Sequence, residues 1–252
     1  MALIETLGGM LAVYLLAPLV VGIPIVKAQH WVTRRVQITP LLEQESPEIQ
    51  EWLDSRREAI EAEGFEVQGA YRIENFTANV TTYFQLYLHS ETGLAAMSVW
   101  VQSLAISARY EEISQVFVNG RTLNVNNSRF ASSWRVPLRE VRRFPWLAAF
   151  SDLLKLHRWL VAQNRDYASE GRPFPKDDAI GYLSEHMNHE LVVQAQNGLY
   201  QASQDGRNWI LTWPGAVHMV FVNAFPGKQL LSFKELGQNR DLEKKARKAG
   251  AL

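Results

Sequence analysis

Val80-Thr81-Thr82-Tyr83-Phe84-Gln85-Leu86-Tyr87-Leu88 is the stretch on which the reading of this chain turns. Val80, Thr82, Phe84, Leu86 and Leu88 point one way along an extended backbone; Thr81, Tyr83, Gln85 and Tyr87 point the other. A period of two marks a strand with one face buried and the other at least partly polar. Downstream, Glu91-Thr92-Gly93 reads as a hairpin loop, and residues 94–104 return as the partner strand. Residues 113–118 and 123–125 flank Asn119-Gly120, the strongest short hairpin signal in the chain, because both residues tolerate positive φ. Upstream, residues 65–73 read as a first strand. Consecutive strands joined by short turns give an antiparallel meander.

Helices surround the meander. Ser46-Pro47 opens one with Ile49, Trp52, Leu53 and Ile60 on its apolar face, and Gly64 suits a left-handed C-terminal cap. Pro145 starts another, to about Arg165, with Trp146, Phe150, Leu153, Leu154, His157, Leu160 and Val161 at helical spacing. Asp177 or Asp178 caps a third, through Ile180, Leu183, Met187 and Leu191 to Asn197-Gly198. Residues 199–203 and 207–213 form a further hairpin across Asp205-Gly206. Residues 215–225 are apolar nearly all round but too short to span a membrane, which leaves a buried core helix or an interfacial segment. The fold class is α+β, a meander packed with several helices. The part after about residue 140 can be set apart as a subdomain, although no Gly/Ser linker marks the join.

Residues 6–26, TLGGMLAVYLLAPLVVGIPIV, carry no charge between Glu5 and Lys27. Roughly 20 apolar residues in a helix cross a hydrocarbon core of about 30 Å, so a single N-terminal transmembrane helix is expected, an anchor over residues 1–30 ahead of a soluble domain over 31–252. Lys27, Arg34 and Arg35 come after the stretch while only Glu5 precedes it. The positive-inside rule then places the body in the cytoplasm, at an inner membrane crossed once. Pro18 and Pro24 are tolerated in such a helix when the freed carbonyls find partners.

Hydrophobic residues make up 47% of the 252 and charged residues 21%, the proportions of a packed protein. Net charge is zero, which argues against nucleic acid as a partner, and there is no cysteine, so no disulfide, thiolate site or cysteine nucleophile exists. Arg135, Arg139, Arg142 and Arg143 stand out in an irregular basic stretch, with guanidinium forks suited to phosphate or carboxylate. Trp213, Phe221 and Phe225, with Lys244 and Lys245 in the basic tail, suit contact with a membrane surface.

No catalytic constellation is read. Glu185-His186-Met187-Asn188-His189-Glu190 is dense in ligand types, but its histidines are three apart and match no zinc-protease motif, so no metal and no cofactor are expected. His157 lies on an apolar helix face.

The layout resembles bacterial proteins of unassigned activity that have one N-terminal membrane helix and a soluble α+β body. The stretches that carry this are FEVQGAYRIENFTANVTTYFQLYLHSETGLAAMSVWV (residues 65–101) and GLYQASQDGRNWILTWPGAVHMVF (residues 198–221). The resemblance implies neither an activity nor a role for any residue. The expectation is a membrane-anchored, non-catalytic binding, scaffold or accessory protein with membrane lipid and a membrane protein as partners. The alternative is a membrane-surface enzyme, which requires a pocket holding His157, His186 or His189 beside a carboxylate.

Overall fold

The computed structural model describes residues 6, 18–42, 46–103, 107–131, 136–167 and 171–252. Its centre is the expected meander: β3 (Phe65–Glu74), β4 (Val80–His89), β5 (Ala95–Ser103), β6 (Ser107–Phe117) and β7 (Thr122–Asn126), each antiparallel to the next. Turn chemistry sets the register. Gly93 (φ 66°) and Gly120 (φ 79°) occupy the left-handed region where a Cβ is disfavoured, and Asn119 Oδ1 accepts from the Arg121 amide at 3.0 Å.

Two strands extend this sheet differently from the sequence reading. β2 (Thr39–Pro40) adds to β3 at one edge. At the other, β8 (Arg139–Arg143) runs parallel to β7, where an irregular loop is expected. A three-stranded sheet lies apart: β1 (Trp31–Thr33), β11 (Asn208–Leu211) and β10 (Tyr200–Ala202), in that order. A two-residue strand, β9 (Gly171–Arg172), pairs with the end of β6.

Both faces of the main sheet are covered, so the polar face expected along β4 is also buried: Gln85 is 4% exposed and Tyr87 fully buried. One face carries Tyr87, Ala96, Ile113, Phe117, Leu123 and Val125. It packs under α2 (Pro47–Glu61), α3 (Phe150–Gln163) and the far end of α6 (Gly227–Lys248). The opposite face carries Ile73, Phe84, Leu86, Leu88, Ala95 and Val99, and packs against α4 (Ala179–Gln196) and the small sheet. Asp178 caps α4, its carboxylate accepting from the Gly181 amide at 3.1 Å. Ser46 precedes α2 as expected but makes no side-chain cap. The basic tail is the 22-residue helix α6, which buries Asn239 and Ala246.

The expected transmembrane helix is corrected. Among the described residues no helix is long and apolar enough to cross a membrane. Most of the stretch, residues 7–17, lies outside the described residues. Its remainder forms one π-helical turn (Pro18–Gly22) and the start of the seven-residue α1 (Ile23–Gln29), which is about 10 Å long. The helix stops because His30 turns extended and leads into β1. Ile23 and Val26 of α1 pack into the same cluster as Ala216 of α5 (Trp213–Asn223), so protein takes the place expected for lipid there. The single-pass inner-membrane placement, with its cytoplasmic body, loses its support.

Candidate functional site

Alternation along β6 puts Tyr110, Glu112, Ser114 and Val116 on the α4 side of the sheet, and β7 adds Thr122 and Asn124 there. These side chains are mostly polar, and α4 does not fill the space over them. A cavity of about 340 Å3 remains between the sheet and α4. Leu86, Ala95, Met97, Val101, Leu183, Met187 and Leu191 make its walls apolar. One end is polar, with Tyr110, Glu112, Ser114, Asn124, Arg139, His186 and Glu190.

The polar end is built by register. Ser114 faces Asn124 and Glu112 faces Asn126 across the β6–β7 ladder. Glu112 accepts from Asn124 Nδ2 at 2.7 Å, from Ser114 Oγ at 3.3 Å and from Asn126 Nδ2 at 2.9 Å. From α4, Tyr182, His186 and Glu190 project at four-residue spacing, along one stripe of the helix. The Tyr182 and His186 rings stack with centroids 6.3 Å apart. Arg139, from the parallel edge strand, donates to Glu190 Oε2.

His186 Nε2 lies 3.3 Å from Glu190 Oε1. The contact is an electrostatic one; among the described residues Oε1 accepts no hydrogen bond. Burial alone would raise the Glu190 carboxyl, but His186 and Arg139 outweigh it and hold the group below the usual carboxylate range. Burial, reinforced by Glu112, pushes the Tyr110 phenol well above its ordinary value, so it remains neutral.

Three buried polar atoms at this end have no hydrogen-bond partner among the described residues: Asn124 Oδ1, Arg139 Nε and Glu190 Oε1. Asn124 is only 7% exposed. Such groups normally find partners, because an unmated one costs about 1–3 kcal/mol. Three beside one cavity mark a place prepared for a polar group. A larger, more open cleft of about 610 Å3, next to β1 and lined by Arg34, Arg35 and Arg207, holds none of them.

The residues singled out from sequence fall in different places. Arg139 lies in the cavity. Arg142 donates to Glu140 and to Asn239 at 3.4 Å, away from it. Arg143 is 1% exposed, and its fork holds both oxygens of Glu235 at 2.7 and 2.9 Å. The described arginines of this stretch therefore form no open basic patch; Arg139, Arg142 and Arg143 are each mated within the chain. Arg135 lies outside the described residues. His186 and Glu190 reach the cavity, whereas His189 is exposed on the helix's outer side. His157 is buried alone, with neither ring nitrogen hydrogen-bonded among the described residues. Sequence reasoning does not single out Tyr110, Glu112 and Asn124; their signal is the run of polar residues on one face of β6, opposite Ile113 and Phe117.

The residues read as surface contacts also separate. Trp213, Phe221 and Phe225 are exposed, 58%, 46% and 40% respectively. Lys244 and Lys245 sit at the other end of α6, about 25 Å along the helix axis from its first turn. Compared with known proteins, the chain matches no family model, no curated protein and no solved structure.

Proposed function

We propose that the chain is a binding protein for a small molecule with an apolar body and a hydrogen-bonding head, held between the main sheet and α4. The observation that carries this is the gathering of the three unmated polar atoms at one end of an otherwise apolar cavity. About 340 Å3 is at the small end of the range for ligand sites. Arg139 Nε–H offers a donor, while Asn124 Oδ1 and Glu190 Oε1 offer acceptors. Two carboxylates, Glu112 and Glu190, stand at this end against one guanidinium, that of Arg139. That balance favours a neutral or cationic head, such as an amide, alcohol or amine, over a carboxylate.

The test is native mass spectrometry of the purified chain, followed by solvent extraction and identification of what it carries. Met97→Trp fills the cavity from the sheet side. The expected result is a bound small molecule in the wild type and none in the variant, with melting temperatures alike. Wild type and variant both free of ligand, with no thermal shift against a panel of amphipathic amides, alcohols and amines, would overturn the reading.

One contact favours a second reading: His186 beside Glu190, in a concave site, is the arrangement a general base requires. Under that reading the bound molecule is a substrate. His186→Gln would then keep binding and abolish turnover of the extracted compound.

A further inference from the structure

The exposed apolar surface is gathered at one corner of the molecule, away from the cavity. Nine of the fourteen exposed large hydrophobic side chains among the described residues lie between residues 20–25 and 213–233. α5 carries them in an inverted pattern. Gly215, Ala216 and Val220 are its buried residues, while Trp213, Val217 and Phe221, four apart, face outward. The first turns of α6 add Leu230 and Phe233, the latter 85% exposed. α1 lies alongside, with Ile25 outward and Lys27 Nζ 5.2 Å from the Trp213 ring centroid. A contiguous patch of this kind needs an occupant.

Charge identifies it. Residues 18–30 and 212–234 contain three lysines, Lys27, Lys228 and Lys234, and no aspartate or glutamate. None of the three lysines is ion-paired among the described residues. A second copy laid on this corner would set lysine against lysine. An anionic bilayer surface satisfies both features at once: side chains such as Trp213 and Phe221 enter the headgroup boundary and the lysines meet lipid phosphates. We infer that this corner, formed by α1, α5 and the start of α6, docks flat on an anionic lipid surface. At 11 residues α5 is about 16 Å long, the dimension of a helix lying in the interface and not of one crossing it. The inference is independent of what the cavity binds.

The chain has no cysteine, so single labels can be placed without background. Phe221→Cys, Phe233→Cys and, in the remote β4–β5 turn, Glu91→Cys are each coupled to an environment-sensitive dye on the full chain. Each is mixed with phosphatidylcholine vesicles, with or without phosphatidylserine. The expected result is a blue shift at positions 221 and 233 on phosphatidylserine vesicles and none at 91. Lys27→Glu, Lys228→Glu and Lys234→Glu should each lower partitioning roughly fivefold or more, without changing the melting temperature. Dyes at 221 and 233 that stay water-exposed while the protein sediments with vesicles would overturn the inference, because attachment would then run through another segment. So would equal shifts on uncharged vesicles. A lipid-free dimer dispersed by Phe221→Ser would overturn it in favour of a second copy, and capture by an acidic apolar protein that excludes vesicles would overturn it in favour of a protein partner.

Discussion

Along β6, Ile113 and Phe117 point toward α3, while Tyr110, Glu112 and Ser114 point toward α4. The α3 side is finished as a dry core. Phe150, Leu153, Leu154 and Leu156 of α3 are essentially fully buried, and Phe65 meets Phe150 edge-on at 5.4 Å. Its buried carboxylate, Glu111, is held by Arg56 at 2.6 Å and by Asn127 at 3.3 Å. The α4 side leaves a cavity and three unmated atoms. One sheet thus serves two purposes: the packed face supplies stability, and the face left open keeps interaction capacity in reserve. Proteins commonly give up local stability at such sites.

Cutting into each face separates them most sharply. Phe150→Ala should cost about 3–5 kcal/mol in denaturant unfolding, because it opens a void in a close-packed core. Leu183→Ala, on a half-buried cavity wall, should cost about 1 kcal/mol. Similar losses from both would erase the distinction.

Acid probes a flaw in the packed face. Burial, helped by Arg158, pushes His157 down from 6.5 to about 3. Between those values the unfolded chain takes up a proton that the folded chain refuses, so stability falls as pH drops from about 6.5 towards 3. Each unit of that difference is worth about 1.4 kcal/mol, giving on the order of 5 kcal/mol over the window. His30, lowered to about 4 by burial, adds to the same slope. His157→Leu should flatten the slope and raise stability at neutral pH by about 1 kcal/mol, since two unmated nitrogens disappear. Urea titrations at pH 7 and pH 5 read both effects.

On the open face, Arg139→Leu leaves Glu190 without its main partner. Because the pair is partly solvated, the expected loss is about 2 kcal/mol. Arg139→Leu combined with Glu190→Leu should recover most of it. A double variant as unstable as the sum of the singles would mean the two groups do not act together.

The meander was legible because its signals are local. Strand alternation at Val80–His89 and the Asn119-Gly120 turn need no distant partner. β8 was not legible. Arg-Glu-Val-Arg-Arg lacks apolar alternation, and its charges are mated by residues 51 and 92 positions away, Glu190 for Arg139 and Glu235 for Arg143. The same distance hides the site. Arg139 and His186 each drew attention for a separate reason, but only folding brings both to Glu190. The apolar N-terminal stretch misled because hydropathy reports that a segment must be covered, not by what; for Ile23 and Val26 the cover is the rest of the protein.

The clamp on the β8 edge has a consequence for the order of events during synthesis. The Asn239 side chain donates to the Arg143 carbonyl at 2.8 Å, and Glu235 neutralises the Arg143 guanidinium. Both come from the last helix. A nascent chain that has just delivered β8 must wait for about 90 more residues before its outermost strand is shielded. Until then the ribosome carries a sheet with one open border, able to pair with a neighbouring chain. A translation stall or frameshift upstream of Glu235 would therefore release a product prone to association, whereas loss of residues beyond Lys248 would leave the border closed.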